Sequence, residues 1–412
     1  MWSPIVACAC RATHDRSSQR VDVMYLQLDE EQTLIRQSAR EFLAQAFPSE
    51  RARAARLDPR GIDDALWRQM ADLGWMGLVV PERYGGAGAS FLDLAVLLEE
   101  IGYACLTGPF FSTAVTGALS LLYAADEPQR QLLLPLLARG GLKLALALDI
   151  QRAGFDPSTV SVLAKDSAGA QRLYGAALFV ADAAAADILL CPAIREVDGA
   201  LTLYRVAPGA SGVTLSAMPT IGGAHHYAVE LTNVEATAAD TLGQSTETAG
   251  GLQRAISEAA VAKCAEMVGG AQRVLDTAVA YAREREQFGR PIGSFQAIQH
   301  HCVNMLMDLE CARWISYKAA AAIDRGALEP SLVAKAKVCC NEAYRRIVRL
   351  GHQVMGGIGY CEEHEMPLYF RHVRMAETAF GDVDDHLEVL AAQLLDGKSP
   401  AITEHAVKGA AS

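Results

Sequence analysis

Arg285-Glu286-Gln287-Phe288-Gly289-Arg290-Pro291-Ile292-Gly293-Ser294-Phe295-Gln296 separates two long stretches of helical periodicity. Before it, Cys264, Met267, Ala271, Val274, Ala278 and Tyr281 recur at steps of three and four; after it, Ile298, Cys302, Met305, Leu309 and Ala312 do the same. Such spacing puts each set on one stripe of a helix. A third stripe runs through Val333, Ala336, Cys340, Ala343, Ile347, Leu350 and Val354, and a fourth helix is predicted from Asp384 through Leu387, Leu390 and Leu394. Four amphipathic helices joined by short turns predict a bundle over residues 249–398. A guanidinium fixed beside an aromatic ring at a helix end, as Arg285 and Phe288 would be, suits a diphosphate and an adjacent ring system. A capped helix-to-helix turn is the plainer account of the same residues.

Upstream, residues 24–140 read as helical, with Leu34, Ala39, Phe42 and Leu43 on one face. Within that region Leu73-Gly74-Trp75-Met76-Gly77-Leu78 leads into Val79-Val80-Pro81-Glu82-Arg83-Tyr84-Gly85-Gly86-Ala87-Gly88, and a helix restarts near Leu92. Residues 141–248 change character. Short apolar runs, among them Leu142 to Leu148, Ile188 to Cys191 and Leu201 to Val206, are bounded by turn residues, and Tyr227, Val229 and Leu231 alternate with period two. An antiparallel β-domain is expected there. The expected fold is therefore mainly α, with an inserted antiparallel β-domain and a terminal four-helix bundle. Residues 1–23 read as a disordered extension, with Met24 an alternative start, and residues 399–412 as a tail.

Composition narrows the function. The 412 residues are 51% hydrophobic and 21% charged with a net charge of −11, the balance of a folded globular chain and the wrong sign for a phosphate-binding surface. No nucleic acid is expected as a partner. No apolar run approaches the roughly 20 residues of a membrane-spanning helix. The ten cysteines include no C-x-x-C pair, and several fall on apolar stripes, so a reducing cytoplasm is expected and no zinc site. The adjacent pairs His225-His226 and His300-His301 direct their side chains apart, so neither pair alone chelates a metal. Asp308, Glu310 and Arg313 read as a solvated or subunit-facing helix edge.

A further segment, Gln353-Val354-Met355-Gly356-Gly357-Ile358-Gly359-Tyr360, closes the third bundle helix. Its glycines allow a left-handed cap and close approach of a ligand to bare backbone. Taken together, the Leu73 to Gly88 stretch, the Arg285 segment and the Gln353 segment followed by Tyr369-Phe370-Arg371 resemble the acyl-CoA dehydrogenase family, from Met24 to about Leu395. The resemblance implies a tetrameric flavoprotein that removes a proton and a hydride from adjacent carbons of an acyl-CoA thioester. It implies FAD, with Arg285, Gln287, Phe288, Gln353, Gly356 and Gly357 as contacts partly serving a neighbouring subunit, and electron-transfer flavoprotein as the acceptor.

The resemblance fails near the reacting centre. The family's Y-E-G-T run, which carries the base in many members, stands here as Ala379-Phe380-Gly381-Asp382. Asp382 lies two residues beyond the usual place, and a helix cap competes for it. A second family position for the base, on the first bundle helix, falls on Ala259, one residue from Glu258. Asp382 and Glu258 are thus the candidate bases. The flavin-facing T-E-P-x-A-G-S-D segment is Asp149-Ile150-Gln151-Arg152-Ala153-Gly154-Phe155-Asp156, and K-x-W-I-T is Ala177-Leu178-Phe179-Val180-Ala181, where Phe179 remains to cover the ring. With the reacting centre altered and the nucleotide motifs intact, the chain resembles the small or partner subunit of heteromeric acyl-CoA dehydrogenases. The alternatives are a homotetramer with an altered base, a catalytically silent scaffold, and a flavin oxidase or monooxygenase of the same fold.

Overall fold

The structure is a computed structural model that describes residues 28–149, 152–167, 170–223, 225–244 and 247–396. The expected extension 1–23 and tail 399–412 lie outside the described residues.

Helices come first: α1 (Glu30–Ala46), α2 (Ser49–Ala55), α3 (Asp64–Asp72), α4 (Phe91–Tyr103), α5 (Ala118–Ala124) and α6 (Glu127–Ala138). Sequence chemistry sets their starts. Asp29 with Gln32 and Ser90 with Asp93 each form a reciprocal capping box, satisfying N–H groups that the first helical turn leaves free. A turn of π-helix, Phe111–Gly117, leads directly into α5.

Eight strands follow: β1 (Leu144–Leu146), β2 (Leu163–Ser167), β3 (Ala170–Ala181), β4 (Ile188–Arg195), β5 (Leu201–Val206), β6 (Val213–Ala217), β7 (His226–Ala236) and β8 (Thr241–Gly243). They form one sheet in the order β6-β7-β3-β2-β4-β5-β8, with β1 also on β4. Most neighbours run antiparallel, as the turn-bounded pattern predicts, but β1 and β2 both pair parallel to β4. The twelve-residue β3 had escaped the sequence reading. Its alternation is blurred by four alanines and by Gly175, where the register against β7 shifts.

Then come α7 (Thr248–Glu284), a hairpin of β9 (Glu286–Gln287) and β10 (Arg290–Pro291), α8 (Gln296–Asp324), α9 (Pro330–Met355), α10 (Met366–Ala376) and α11 (Val383–Asp396). The first three predicted stripes have buried centres, with Met267, Val274, Met305, Leu309, Ala336 and Ile347 all fully enclosed, whereas the fourth does not follow the expectation: Leu387 and Leu394 on α11 are exposed.

The first helical region joins the bundle where α4 crosses α7. Both helices carry a glycine at the crossing. A Cβ on Gly102 would lie 1.8 Å from the Glu266 carbonyl oxygen, and one on Gly269 would lie 1.8 Å from that of Glu99. Beside this crossing, buried Glu99 and Glu100 receive Arg36, Arg40 and Arg313, with Arg313 Nε 3.1 Å from Glu99. Arg313 therefore ties α8 to α4 instead of forming the solvated or subunit-facing edge expected from the sequence, whereas Asp308 stays near the surface, paired with Arg346.

Because both contacts are to backbone, a methyl group cannot be accommodated by a rotamer change. Gly102→Ala is expected to cost about 1–3 kcal/mol of unfolding free energy, read as a lowered urea midpoint at unchanged slope.

Candidate functional site

Two cavities flank the corner that joins α10 to α11. The larger, about 610 Å³, lies between the β-domain and α11 and is lined by Asp149, Arg152, Ala153, Gly154 and Phe155, by Ala177 and Leu178, and by Asp385 and Glu388 on α11. These are the segments that the family resemblance sets against a flavin, and the volume is that of an ordinary cofactor site. The smaller, about 120 Å³, is walled by Phe111 and Ser112, Asp182, His225 and His226, Lys263 and Glu266, His372, Ala379 and Phe380.

The corner itself is over-determined. Phe380 is 1% exposed with φ +61, Gly381 follows at φ +95, and a Cβ on Gly381 would sit 2.6 Å from the Ala153 backbone nitrogen. A bulky residue at positive φ is strained, and four hydrogen bonds hold it there. Lys337 Nζ donates to the carbonyls of Ala376 and Ala379 at 3.1 and 2.7 Å; Asn341 Nδ2 donates to Glu377 O at 3.0 Å. His386 Nε2 lies 2.8 Å from Phe380 O. Burial pushes the fully enclosed Lys337 amine down to about 8 and the His386 imidazole down to about 4.

Phe380, expected from the sequence at the glutamate position of the family pattern, has its ring 5.9 Å from that of Phe111. The two candidate bases are not brought together there. Asp382 is exposed. Its Oδ1 accepts from the Asp385 N–H at 3.0 Å, while Asp385 Oδ2 accepts from the Asp382 N–H at 3.3 Å, a reciprocal cap on α11. Glu258 is buried on α7 but faces α5, where Tyr123 donates to it at 2.8 Å and Arg254 Nε at 2.8 Å. Burial raises the Glu258 carboxyl, and Arg254 opposes that rise. At about 100° per residue, Glu258 stands roughly 140° around α7 from Lys263, so it points away from the small cavity.

Sequence reading overlooked the polar cluster that does line the cavity. Lys263 Nζ donates to both Glu266 oxygens at 2.8 Å and lies 3.8 Å from the Phe111 ring centroid; Glu266 also meets His372 Nε2 at 2.8 Å, and His372 Nδ1 meets the Tyr344 hydroxyl at 3.0 Å. The available signal was a Lys and a Glu three residues apart beside the apolar stripe of Cys264 and Met267. Burial alone would raise the Glu266 carboxyl, but the Lys263 ammonium and His372 hold it down at about 2. A carboxylate that acidic is a poor acceptor for a carbon-bound proton.

The nucleotide-type residues occupy the other end of the bundle. Arg285, the last residue capping α7, is exposed, as are Gln287 and Phe288. Phe288 (φ +54) and Gly289 (φ +78) form the two-residue loop between β9 and β10, both left-handed as a type I′ hairpin requires. The Phe288 ring is 92% exposed, edge-on to Phe295. Gln353, Gly356 and Gly357 are exposed where α9 ends, and among the described residues no atom beyond the neighbouring backbone lies within 4 Å of a Cβ placed on either glycine. That open backbone and the projecting aromatic and guanidinium fit a dinucleotide. In one protomer they are remote from the large cavity. Lys337 and Asn341, which grip the corner, precede Gly356 by 19 and 15 residues of unbroken helix, about 22–28 Å.

Comparison with known proteins follows this geometry. The family models for the acyl-CoA dehydrogenase N-terminal domain and C-terminal domain match residues 29–141 and 251–395. A probable acyl-CoA dehydrogenase, YngJ, of Bacillus subtilis is 29% identical over 382 residues, covering 90% of this chain and 100% of the relative. A 3-(aryl)acrylate reductase of Clostridium sporogenes is 30% identical over 377 residues, covering 89% and 99%. Among solved structures, the Tcur3481-Tcur3483 steroid ACAD matches with a TM-score of 0.78 and 28% identity, covering 89% of this chain and 98% of that one. The chain belongs to the acyl-CoA dehydrogenase family. It is accordingly a flavoprotein-type oxidoreductase acting on CH–CH bonds of acyl-CoA, and no described helix is long and apolar enough to cross a membrane.

Two outcomes test the site. Asp382→Ala removes a cap and is expected to cost about 1 kcal/mol of stability, seen as a lowered thermal midpoint. Glu266 has a depressed folded pKa, so its contribution, on the order of 3 kcal/mol, is complete above the unfolded value near 4.5 and is lost as pH falls toward 2. The stability gap between the parent and Glu266→Gln is expected to be widest above pH 5 and to narrow toward pH 3. A constant gap would contradict the pairing.

Proposed function

We propose that the chain is one subunit of a FAD-dependent acyl-CoA dehydrogenase, assembled as a tetramer with a related chain that supplies the catalytic base. One observation carries this reading. Phe380, which stands where the family pattern carries its glutamate, is buried, while Asp382, two residues further along the chain, is committed to capping α11. Glu258 keeps the buried, proton-retaining character a base needs but faces Tyr123. The solved relative at 28% identity pairs two components, Tcur3481 and Tcur3483, which supports a heteromeric arrangement.

Each residue then has a task. Ala153, Gly154, Phe155 and Leu178, and not the expected Phe179, which is absent from the cavity lining, would border the ring end of FAD, and Arg285, Gln287, Phe288, Gln353, Gly356 and Gly357 would hold the nucleotide end of the FAD bound to a neighbouring protomer. The separation of about 22–28 Å along α9 is the reason a neighbour is required. Bound FAD supplies the hydride acceptor, and electron-transfer flavoprotein would take the electrons onward. Lys337 and Asn341 fix the corner, and the paired Phe111 and Phe380 rings exclude water beside it. The eight described cysteines are free thiols, which accords with the cytoplasm.

The test is the visible absorption of bound flavin without oxygen. The chain purified alone is expected to keep its colour when butyryl-CoA is added, and the co-purified heteromer to bleach. Bleaching by the chain alone would overturn the assignment. Arg285→Ala, losing a charged hydrogen bond of about 1.5–3 kcal/mol, is expected to weaken flavin retention by roughly 10–100-fold.

A further inference from the structure

The 120 Å³ cavity holds an unusual concentration of polar atoms without partners. Both ring nitrogens of His225, the His226 Nδ1 and the Thr107 Oγ1 are buried and make no hydrogen bond among the described residues, and all three side chains line this one cavity. His225 is only 4% exposed. Leaving such groups unpaired is costly, and buried polar atoms are almost always satisfied by protein, water or ligand.

We infer that this cavity is a binding site for a hydroxyl group carried by a short acyl chain on the CoA thioester. A neutral imidazole offers one donor and one acceptor, and a threonine hydroxyl offers both. Their complement is a group that also donates and accepts, which a hydroxyl does and a methylene does not.

Charge excludes an anionic chain end. The charged groups of the cavity wall are already committed to one another: the Lys263 ammonium is shared between both Glu266 oxygens, His372 Nε2 also meets Glu266, and Asp182 accepts from Ser112. Burial disfavours the charged form of the His226 ring. A terminal carboxylate would find no unpaired cation there. Size sets the other limit, since 120 Å³ is about four water volumes. The wall includes Ala379 and Phe380, at the corner where the family pattern sets the reacting carbons, so the group entering it belongs to the acyl portion near the thioester. The inference rests on the chain binding acyl-CoA and is independent of where the base resides.

The flavin-loaded protein is titrated calorimetrically with 3-hydroxybutyryl-CoA, butyryl-CoA and succinyl-CoA, and the His225 ring nitrogens are followed by NMR. The hydroxyacyl thioester is expected to bind at least tenfold more tightly than the other two and to shift the His225 ring resonances. His225→Phe is expected to abolish the preference. His225→Gln, which keeps a donor and an acceptor, is expected to retain part of it, and circular dichroism of both variants reports folding. Equal affinity for hydroxybutyryl and butyryl thioesters, tightest binding of succinyl-CoA, or unmoved His225 resonances would each overturn the inference while leaving the acyl-CoA reading intact. Binding of none of the three would overturn both.

Discussion

The architecture depends on the close crossing of α4 and α7, where Gly102 and Gly269 let two backbones approach with no side chain between them. A separation this small fixes the helices in rotation as well as in distance. Glu99 and Glu100 are then turned toward Arg36, Arg40 and Arg313, and Glu266 is turned the opposite way, toward Lys263 and His372. One crossing therefore supplies both the ionic seam joining the first helices to the bundle and the polar wall of the inner cavity. Buried ion pairs recover their desolvation cost only when geometry is good, and here backbone sterics impose that geometry.

The bundle and the general layout were legible in the sequence because burial writes a period into a chain. Met267, Val274, Met305 and Ile347 fall on stripes that any helix with one buried face must display. Strands were less visible. β3 is rich in alanine and interrupted by glycine, and its place inside the sheet comes from pairing with β7 and β2, information carried by other segments. The turns that carry the expected nucleotide contacts were legible for a different reason. They sit at helix ends, where Gly356 and the Phe288-Gly289 turn need backbone angles that few residues adopt.

The inner cavity was not legible, because its members are scattered over the sequence. Asp182 and His225 come from the β-domain, Ser112 from the π-turn, Lys263 from α7 and His372 from α10. His225 and His226 were weighed only as a metal pair, whereas what distinguishes His225 is the absence of partners among the described residues, which only tertiary structure reveals. Likewise Asp382 and Glu258 were selected by alignment offset, and the direction of each side chain depends on a neighbour: Asp385 for one, Tyr123 for the other.

The contact between Gly381 and Ala153 has a consequence for how the protein can change. The corner of the bundle and the loop of the β-domain occupy adjoining volumes, with 2.6 Å between a hypothetical Cβ on one and the backbone of the other. Enlarging either residue displaces its counterpart, so substitutions at the two positions are coupled and their effects do not add. Any lineage that reshapes the large cavity through this loop must therefore alter both positions in concert, which makes the pair a joint hereditary unit despite the 227 intervening positions between residues 153 and 381.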